Sequence, residues 1–267
     1  MSQAVFAWEG FSFTHPDDWA PVTLTGAREE GYVRLQGSGR IGCQVRWKTV
    51  KRKPDLGQAL DGYFKLLERD AAKARAPLST EREEREDGLY YRWQGSGQGR
   101  GALLHSPCGR LFFIEVVGGR QDSLLPHKRA VLDAFRMESE DDLELWSLFG
   151  LHVRVPKGMT PAGKTLQSGR TWLLFRPKGA VVEVGRYAFG KELTEKHGLE
   201  NWAIASLKMP GAVVSSDADG LRLSLAGNAV RPRVVALARF EPEHNQIVTV
   251  RSASKLERWW PEWRWLS

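Results

Sequence analysis

The stretch FSFTHPDDWAPVTLTGAREEGYVRLQGSGRIGCQVRW, residues 11–47, decides the fold because a similar stretch occurs a second time. Shifting the chain by 140 positions places it on LHVRVPKGMTPAGKTLQSGRTWLLFRPKGAVVEVGRY, residues 151–187, without a gap. Few residues are identical, but the apolar blocks and the turn residues keep their order. The coinciding pairs include Phe11 with Leu151, Phe13 with Val153, Pro16 with Pro156, Val33 with Leu173, and Trp47 with Tyr187. A repeat of this length predicts a tandem duplication.

The repeat continues beyond this stretch at a smaller shift. Asp87–Leu89 matches Asp219–Leu221 when the shift drops to 132, as expected if one copy has a shorter connection. Between the copies, Glu138–Glu144 forms a short acidic connector. We therefore predict two domains, residues 1–139 and residues 144–267.

The periodicity of the apolar residues predicts the elements of one copy. Alternation over Ile41, Cys43, Val45 and Trp47 indicates a strand. A helical stripe follows, formed by Leu56, Leu60, Tyr63, Phe64 and Leu67. Three more strands and a closing helix near residues 124–135 complete the copy. The second copy has its middle helix near 198–208 and its closing segment from about 254. The predicted fold class is α+β: two tandem related domains, each an antiparallel sheet packed by a middle helix and a closing C-terminal helix.

The order of elements also resembles a known family. The first strand ends in a Pro-x-x-Trp turn, His15-Pro16-Asp17-Asp18-Trp19, and the last helix ends at Ala134-Phe135. This pattern resembles the PsbP-like fold of photosystem extrinsic proteins, Ran-binding Mog proteins and some bacterial secretion-effector chaperones. The resemblance implies a non-enzymatic binding or assembly module. The second copy has Lys157-Gly158-Met159 at the corresponding turn, so no functional residue is transferred from the family.

Composition and charge indicate where the protein is located and which partners it can bind. No basic segment followed by an apolar run opens the chain, and no stretch approaches 18 apolar residues, so we expect a cytoplasmic protein without a membrane partner. Cys43 and Cys108 predict reduced thiols rather than a disulfide framework. The net charge of +7 is shared between both halves. The clearest basic cluster, Lys48, Lys51, Arg52 and Lys53, keeps nucleic-acid binding open as an alternative.

Two glycine motifs look like phosphate-binding signatures. Residues 158–165 spell G-x-x-x-x-G-K-T, which keeps open an alternative function as an NTP-binding protein that uses Lys164 and Thr165. A true P-loop opens a helix, whereas Trp172–Phe175 indicates that a strand follows here. Residues 37–42 match G-x-G-x-x-G, but the residues that follow also favour a strand, and we interpret the motif as a hairpin turn.

The chain offers no recognisable catalytic or metal-binding pattern. The six histidines lack the spacing of a zinc site, and no nucleophile and base can be paired by spacing. We therefore expect a protein that is not an enzyme and that holds no cofactor and no metal. The preferred interpretation is a module that binds a protein or peptide.

Seven residues are candidates for the binding site. Five come from the C-terminal aromatic segment: Arg258, Trp259, Trp260, Trp263 and Arg264. On a helix, the three tryptophans share one stripe, which either covers the second sheet or forms a docking surface, whereas Trp265 lies off the stripe. The other two are Glu183 and Arg186. The repeat places Glu183 on Cys43, which would direct a carboxylate toward a core. We expect a local bulge or an edge strand at this position, and the alternative is a partly buried polar pocket with Arg186 or Arg239 as partner.

Overall fold

The computed structural model describes residues 2–137, 142–167 and 169–266. The chain divides into two compact units, Met1–Glu138 and Ser139–Ser267. Most of the predicted acidic connector, residues 138–141, lies outside the described residues. Glu144, its last residue, is instead a buried member of the first strand of the second unit.

The first unit is built mainly from strands. Its strands are β1 (Gln3–Trp8), β2 (Phe11–Pro16), β3 (Ala20–Gly26), β4 (Glu30–Gln36), β5 (Gly42–Thr49), β6 (Ser79–Arg85), β7 (Gly88–Gln94), β8 (Gly97–His105) and β9 (Arg110–Gly119). Its helices are α1 (Leu56–Ala74) and the four-residue α2 (Leu125–Lys128), which continues as one π-helical turn, Arg129–Asp133.

Strands β3 to β9 form one antiparallel sheet in the order β3-β4-β5-β9-β8-β7-β6. Helix α1 covers one face, where Leu60 packs against Leu89, Tyr91 and Leu103. The β1–β2 hairpin packs an aromatic face on the other side, and the ring of Phe11 lies 5.1 Å from that of Trp47. The sheet is therefore covered on both faces.

The second unit repeats this construction. Its strands are β10 (Leu143–Leu148), β11 (Leu151–Pro156), β12 (Pro161–Gln167), β13 (Arg170–Phe175), β14 (Ala180–Ala188), β15 (Val213–Asp217), β16 (Gly220–Leu225), β17 (Arg233–Glu241) and β18 (Gln246–Ser254). Its helices are α3 (Gly190–His197) and α4 (Leu199–Ser206), and three short 3-10 turns lie at Pro242–His244, Glu257–Trp259 and Trp263–Leu266.

The seven-stranded sheets of the two units have the same strand order. In the second unit the order is β12-β13-β14-β18-β17-β16-β15, all antiparallel, and each strand takes the place of its counterpart in the first sheet. Helices α3 and α4 cover one face around Trp202, Ala203 and Leu223. The shared order agrees with the repeat seen in the sequence, while common descent of the two units stays a prediction.

The predicted α+β class, with sheets packed by middle and closing helices, is wrong. Half of the described residues are in strands and about a fifth are in helices, most of which are short. The first unit closes with four α-helical residues and one π-turn, and the second with 3-10 turns alone. The chain is a mostly β protein of antiparallel sheets.

Local chemistry explains why the expected closing helix of the second unit is broken. Trp260 precedes a proline, and the proline ring disfavours the helical conformation of the preceding residue. Trp260 is accordingly extended, with φ −76° and ψ 134°, so the tryptophan stripe never forms on one helix. The middle helix predicted near 198–208 is confirmed as α4, and Gly198, with φ +73°, separates it from α3, which was not predicted.

Among the described residues, no helix has both the length and the apolar character needed to cross a membrane.

Candidate functional site

The most distinctive surface feature of the second unit is a cavity of about 680 Å³ beside Trp260, here called the Trp260 groove. It lies at the end of the sheet where the loop after β16, the start of β17 and the end of β18 meet. None of its lining residues is acidic, and three are cationic: Arg231, Arg233 and Lys255. The groove therefore favours a negatively charged ligand.

The extended conformation of Trp260 creates one wall of the groove. The chain turns at Glu257–Trp259 and again at the buried Pro261, which directs the indole back toward the sheet. The indole Nε1 donates to the backbone oxygen of Ser254 at 3.4 Å. This bond fixes the ring at the groove, half-buried.

Arg233 lies on this indole ring. Its guanidinium carbon is 4.4 Å from the ring centroid, and its Nε and Nη2 donate to Ser224 Oγ at 3.3 and 3.1 Å. Cation–π contact and a neutral hydroxyl hold the cation in place, and within the described residues it has no ion pair with a carboxylate. Its charge remains available to a ligand.

The loop between β16 and β17 supplies Arg231, and Lys255 follows the end of β18. The Asn228 side-chain oxygen accepts from the backbone nitrogens of Val230 and Arg231 at 2.9 and 2.7 Å, the arrangement of an Asx turn. Lys255 Nζ donates to the backbone oxygen of Ala229 at 2.6 Å. The loop is thereby tied to the end of β18, and Val230 is 85% exposed at its tip.

Strand β15 forms one edge of the sheet beside this groove. Its sequence, VVSSD, has no charge before its last residue, and Val213 is 75% exposed. The counterpart edge strand β6 reads STEREER, and each of its residues is exposed. Charged side chains protect an edge against pairing with further strands. The β6 edge carries this protection, whereas the β15 edge is open.

Of the five candidates in the C-terminal segment, only Trp260 lines the groove. Trp259 lies under the guanidinium of Arg258 at 5.2 Å, and the Trp263 Nε1 donates to Asp217 Oδ2 at 3.0 Å. Arg264 contacts Glu262 at 2.7 Å and also pairs with Asp142. Trp265, expected to lie off the buried stripe, is 2% exposed, so that expectation is wrong.

The other two candidates, Glu183 and Arg186, do not form a pocket together. Glu183 accepts from Arg251 Nη1 at 2.9 Å, whereas Arg186 Nε donates to Gln246 Oε1 at 2.7 Å. Burial lowers the pKa of Arg186 from its ordinary value. Glu183 therefore pairs with Arg251 and not with the expected partners Arg186 or Arg239. Neither Glu183 nor Arg186 lies in the Trp260 groove.

The predicted match of Glu183 with Cys43 is also wrong, because the β13–β14 turn is one residue shorter than the β4–β5 turn. Leu35 is opposite Cys43 in the first sheet, and Phe175 is opposite Val182 in the second. Val182 is thus the counterpart of Cys43. Glu183 shifts to the opposite face, as side chains alternate along a strand.

Sequence reasoning missed a second polar cluster, centred on Glu115 of β9. This side chain is fully buried, yet its carboxylate accepts from four neutral donors. The distances are 2.8 Å from Gln44 Nε2, 2.9 Å from Tyr63 Oη, 3.1 Å from Tyr91 Oη and 2.7 Å from Trp93 Nε1. Burial raises the pKa of Glu115, and the four hydrogen bonds oppose that rise. The donors satisfy the buried oxygens, so we interpret this cluster as structural.

The phosphate-like motifs lie on a strand and in turns, and neither opens a helix. Gly158 is in a turn, and residues 161–167 form the edge strand β12, so the next helix of the described chain begins only at Gly190. Lys164 is exposed on that strand. Residues 37–42 form the β4–β5 turn, as predicted. In the basic cluster, Lys48 pairs with Glu30 at 3.4 Å.

No protein-family model matches this chain, and no curated protein matches it significantly. Among solved structures, a crystal structure from Bacteroides thetaiotaomicron is similar at 17% sequence identity and a TM-score of 0.33. The match covers 54% of this chain and 53% of that one, so the chain spans about half the length of that protein. Similarity at this level supports no conclusion on fold or function.

Proposed function

We propose that this chain is a non-catalytic binding module whose second unit holds an extended, acidic peptide segment of a partner protein. The observation that carries the proposal is the combination of the open β15 edge with the Trp260 groove beside it, whose charged lining residues are all cationic. An edge strand supplies backbone hydrogen bonds to an added strand, and neighbouring pockets select its side chains.

Charge determines which peptide fits. Side chains of an added strand alternate between the two faces of the sheet, so every second residue would face the side that carries Val213 and Ser224. Carboxylates at those positions can accept hydrogen bonds from Arg233 and Arg231. A charge-assisted bond of this kind contributes about 1.5–3 kcal/mol.

The chemistry of the groove favours binding over catalysis and a peptide over nucleic acid. Its lining supplies cations, hydroxyls and an indole, but no histidine or carboxylate that could act as a base toward Ser224 or Ser254. A nucleic-acid base would need a free aromatic face for stacking. One face of Trp260 is occupied by Arg233, and backbone pairing at β15 requires a peptide.

Fluorescence anisotropy of the full chain with a labelled eight-residue peptide of alternating Val and Glu tests the proposal. We expect saturable binding that weakens about tenfold or more in Arg233→Glu, because one charge-assisted contact is lost and a repulsion is added. The matched control is Arg34→Glu, an exposed strand arginine that likewise bonds a neutral side chain, Gln36, at 2.9 Å. This control should bind like the wild type.

Two comparison ligands make the test decisive. A peptide of alternating Val and Lys should not bind, since it would place like charges in the groove. A labelled oligothymidine should bind more weakly than the Val–Glu peptide. Equal binding of both peptides, stronger binding of the oligothymidine, or equal losses in Arg233→Glu and Arg34→Glu would overturn the proposal.

A further inference from the structure

The first unit contains a separate cavity of about 230 Å³ between strands β6, β7 and β8 and the helical segment 125–133. Its lining includes five cationic and two acidic residues, an excess of three positive charges. A second cavity of about 130 Å³ adjoins it and shares Glu81, Arg92 and Arg100. The two arginines are therefore accessible from both cavities.

Arg92 and Arg100 form a cross-strand pair of like charge. They are direct partners in the antiparallel register of β7 and β8, so both side chains leave the sheet on one face. Like charges directly opposite each other destabilise a sheet. The pair costs stability unless an anion lies between the two guanidinium groups.

Only one member of the pair bonds a carboxylate directly. Arg92 Nη2 donates to Glu81 Oε1, and both side chains are more than half exposed. Arg100 is half-buried and attracts the Glu81 carboxylate, which helps to lower the pKa of Glu81, but within the described residues its guanidinium forms no hydrogen bond or ion pair. A half-buried guanidinium with free donors is a binding element for an oxyanion.

The other cations of the cavity are held in place by their own contacts. Lys128 pairs with Asp133, and its side chain is 18% exposed. Arg85 bonds Glu83 at 2.9 Å and lies 4.1 Å from the centre of the Tyr90 ring. Arg82 pairs with Asp61 at 3.1 Å. These residues fix the walls and are balanced by their carboxylate partners, which leaves Arg100 to supply direct bonds.

We infer that this cavity is a binding site for a phosphate group, carried by a phosphate ester or by inorganic phosphate, held between Arg92 and Arg100. Guanidinium groups match the oxygens of a tetrahedral anion in paired hydrogen bonds. A single water needs about 10–15 Å³ of such space, so the cavity accommodates phosphate with a small organic substituent. The Glu81 carboxylate occupies Arg92 and competes with the ligand.

Isothermal titration of the full chain with inorganic phosphate at low ionic strength tests this inference. Arg100→Gln should weaken binding about tenfold or more, since it removes the free guanidinium. Glu81→Gln should strengthen binding several-fold, because a competing carboxylate is removed. Arg34→Gln, on an exposed strand outside the cavity, is the matched control and should bind like the wild type.

Thermal melting of each variant checks that the fold is retained, and added phosphate should raise the Tm of the wild type but not of Arg100→Gln. A parallel titration with phenyl phosphate identifies the source. If phenyl phosphate binds more tightly than inorganic phosphate, the ligand of the site is a phosphate ester. If it binds equally or more weakly, the ligand is inorganic phosphate. Failure of both to bind the wild type, or equal affinity in wild type and Arg100→Gln, would overturn the inference. Because this site lies in the first unit, either result is independent of peptide binding at the Trp260 groove.

Discussion

Replacing Glu115 by leucine should strongly destabilise the first unit. The carboxylate is the shared acceptor for Gln44, Tyr63, Tyr91 and Trp93, and the side chain is fully buried. Leucine has a similar size but accepts no hydrogen bond. The substitution therefore removes the acceptor and leaves the donors where they are.

The loss of unfolding free energy in Glu115→Leu depends on how well each donor can bond water instead. Tyr91 is 5% exposed, so its hydroxyl stays unsatisfied, at a cost of about 1–3 kcal/mol. Gln44, Tyr63 and Trp93 are half-buried, and each loses a bond of about 0.5–1.5 kcal/mol. Together these losses come to about 2.5–7.5 kcal/mol. At neutral pH, leucine also avoids the unfavourable burial of the Glu115 charge, which offsets part of this loss of stability.

Glutamine at position 115 isolates the contribution of the charge. Burial raises the pKa of Glu115 above its unfolded-state value. Its contribution to stability is therefore complete below the unfolded-state pKa, near pH 4, and is lost as pH rises through the folded-state pKa. Glu115→Gln cannot titrate. Near pH 4 the variant should be less stable than the wild type by about 0.5–1.5 kcal/mol, because the amide cannot accept all four hydrogen bonds. As pH rises, the wild type loses stability and the variant does not, so this difference in unfolding free energy should shrink.

Urea unfolding at a series of pH values from 4 to 8, followed by tryptophan fluorescence, measures both effects. Trp93 donates to the carboxylate at 2.7 Å, and because the chain has eleven tryptophans, the NMR signal of its indole N–H serves as the local reporter. Glu183→Gln, a half-buried carboxylate paired with Arg251 in the other unit, is the control and should leave the first unit unchanged. A Glu115→Leu variant as stable as the wild type, or a pH-independent gap between wild type and Glu115→Gln, would refute the reasoning.

Three further predictions concern packing and reactivity. Trp265→Ala should cost about 3–5 kcal/mol in calorimetry of the second unit, because the ring is fully buried; a loss below 1 kcal/mol would show that the ring does not belong to the core. Gly101→Ala should lower the Tm, since a Cβ at 101 would lie 2.2 Å from a tyrosine hydroxyl oxygen and 2.6 Å from a backbone oxygen. Gly39→Ala should leave the Tm unchanged, because no atom lies within 4 Å of a Cβ at 39, and equal Tm values for the two variants would contradict this packing. With a thiol reagent at pH 8, Cys108 should react at once and Cys43 only after unfolding, because burial raises the pKa of Cys43 to about 12; rapid labelling of both would argue against it.

Local patterns in the sequence predicted the elements better than their packing. The stripe beginning at Leu56 correctly predicted α1, because an amphipathic helix carries its signal in its own residues. The C-terminal stripe failed at Trp260–Pro261, where one steric preference outweighed the apolar spacing. The order of strands in the sheets depends on long-range pairing, which no single segment encodes.

The candidate site shows the same limit. Trp260 was recognisable as an aromatic anchor, but Arg233 comes 27 positions earlier and reaches it only through the pairing of β17 with β18. The open edge of β15 became visible only when its place beside β16 was known. Glu115 carried no warning in the sequence, because a single glutamate between Ile114 and Val116 does not reveal its four donors.

The one-residue difference between the β4–β5 and β13–β14 turns has an evolutionary consequence. The shorter turn absorbs the missing residue, so the pairing of the two strands is the same in both units. Val182 and Val184 are buried as Cys43 and Val45 are, and Glu183 occupies the position of Gln44. The same deletion inside the strand would instead exchange its two faces and direct Glu183 to the core. If the units share an ancestor, the length of the chain could change at this turn because the turn leaves the core untouched.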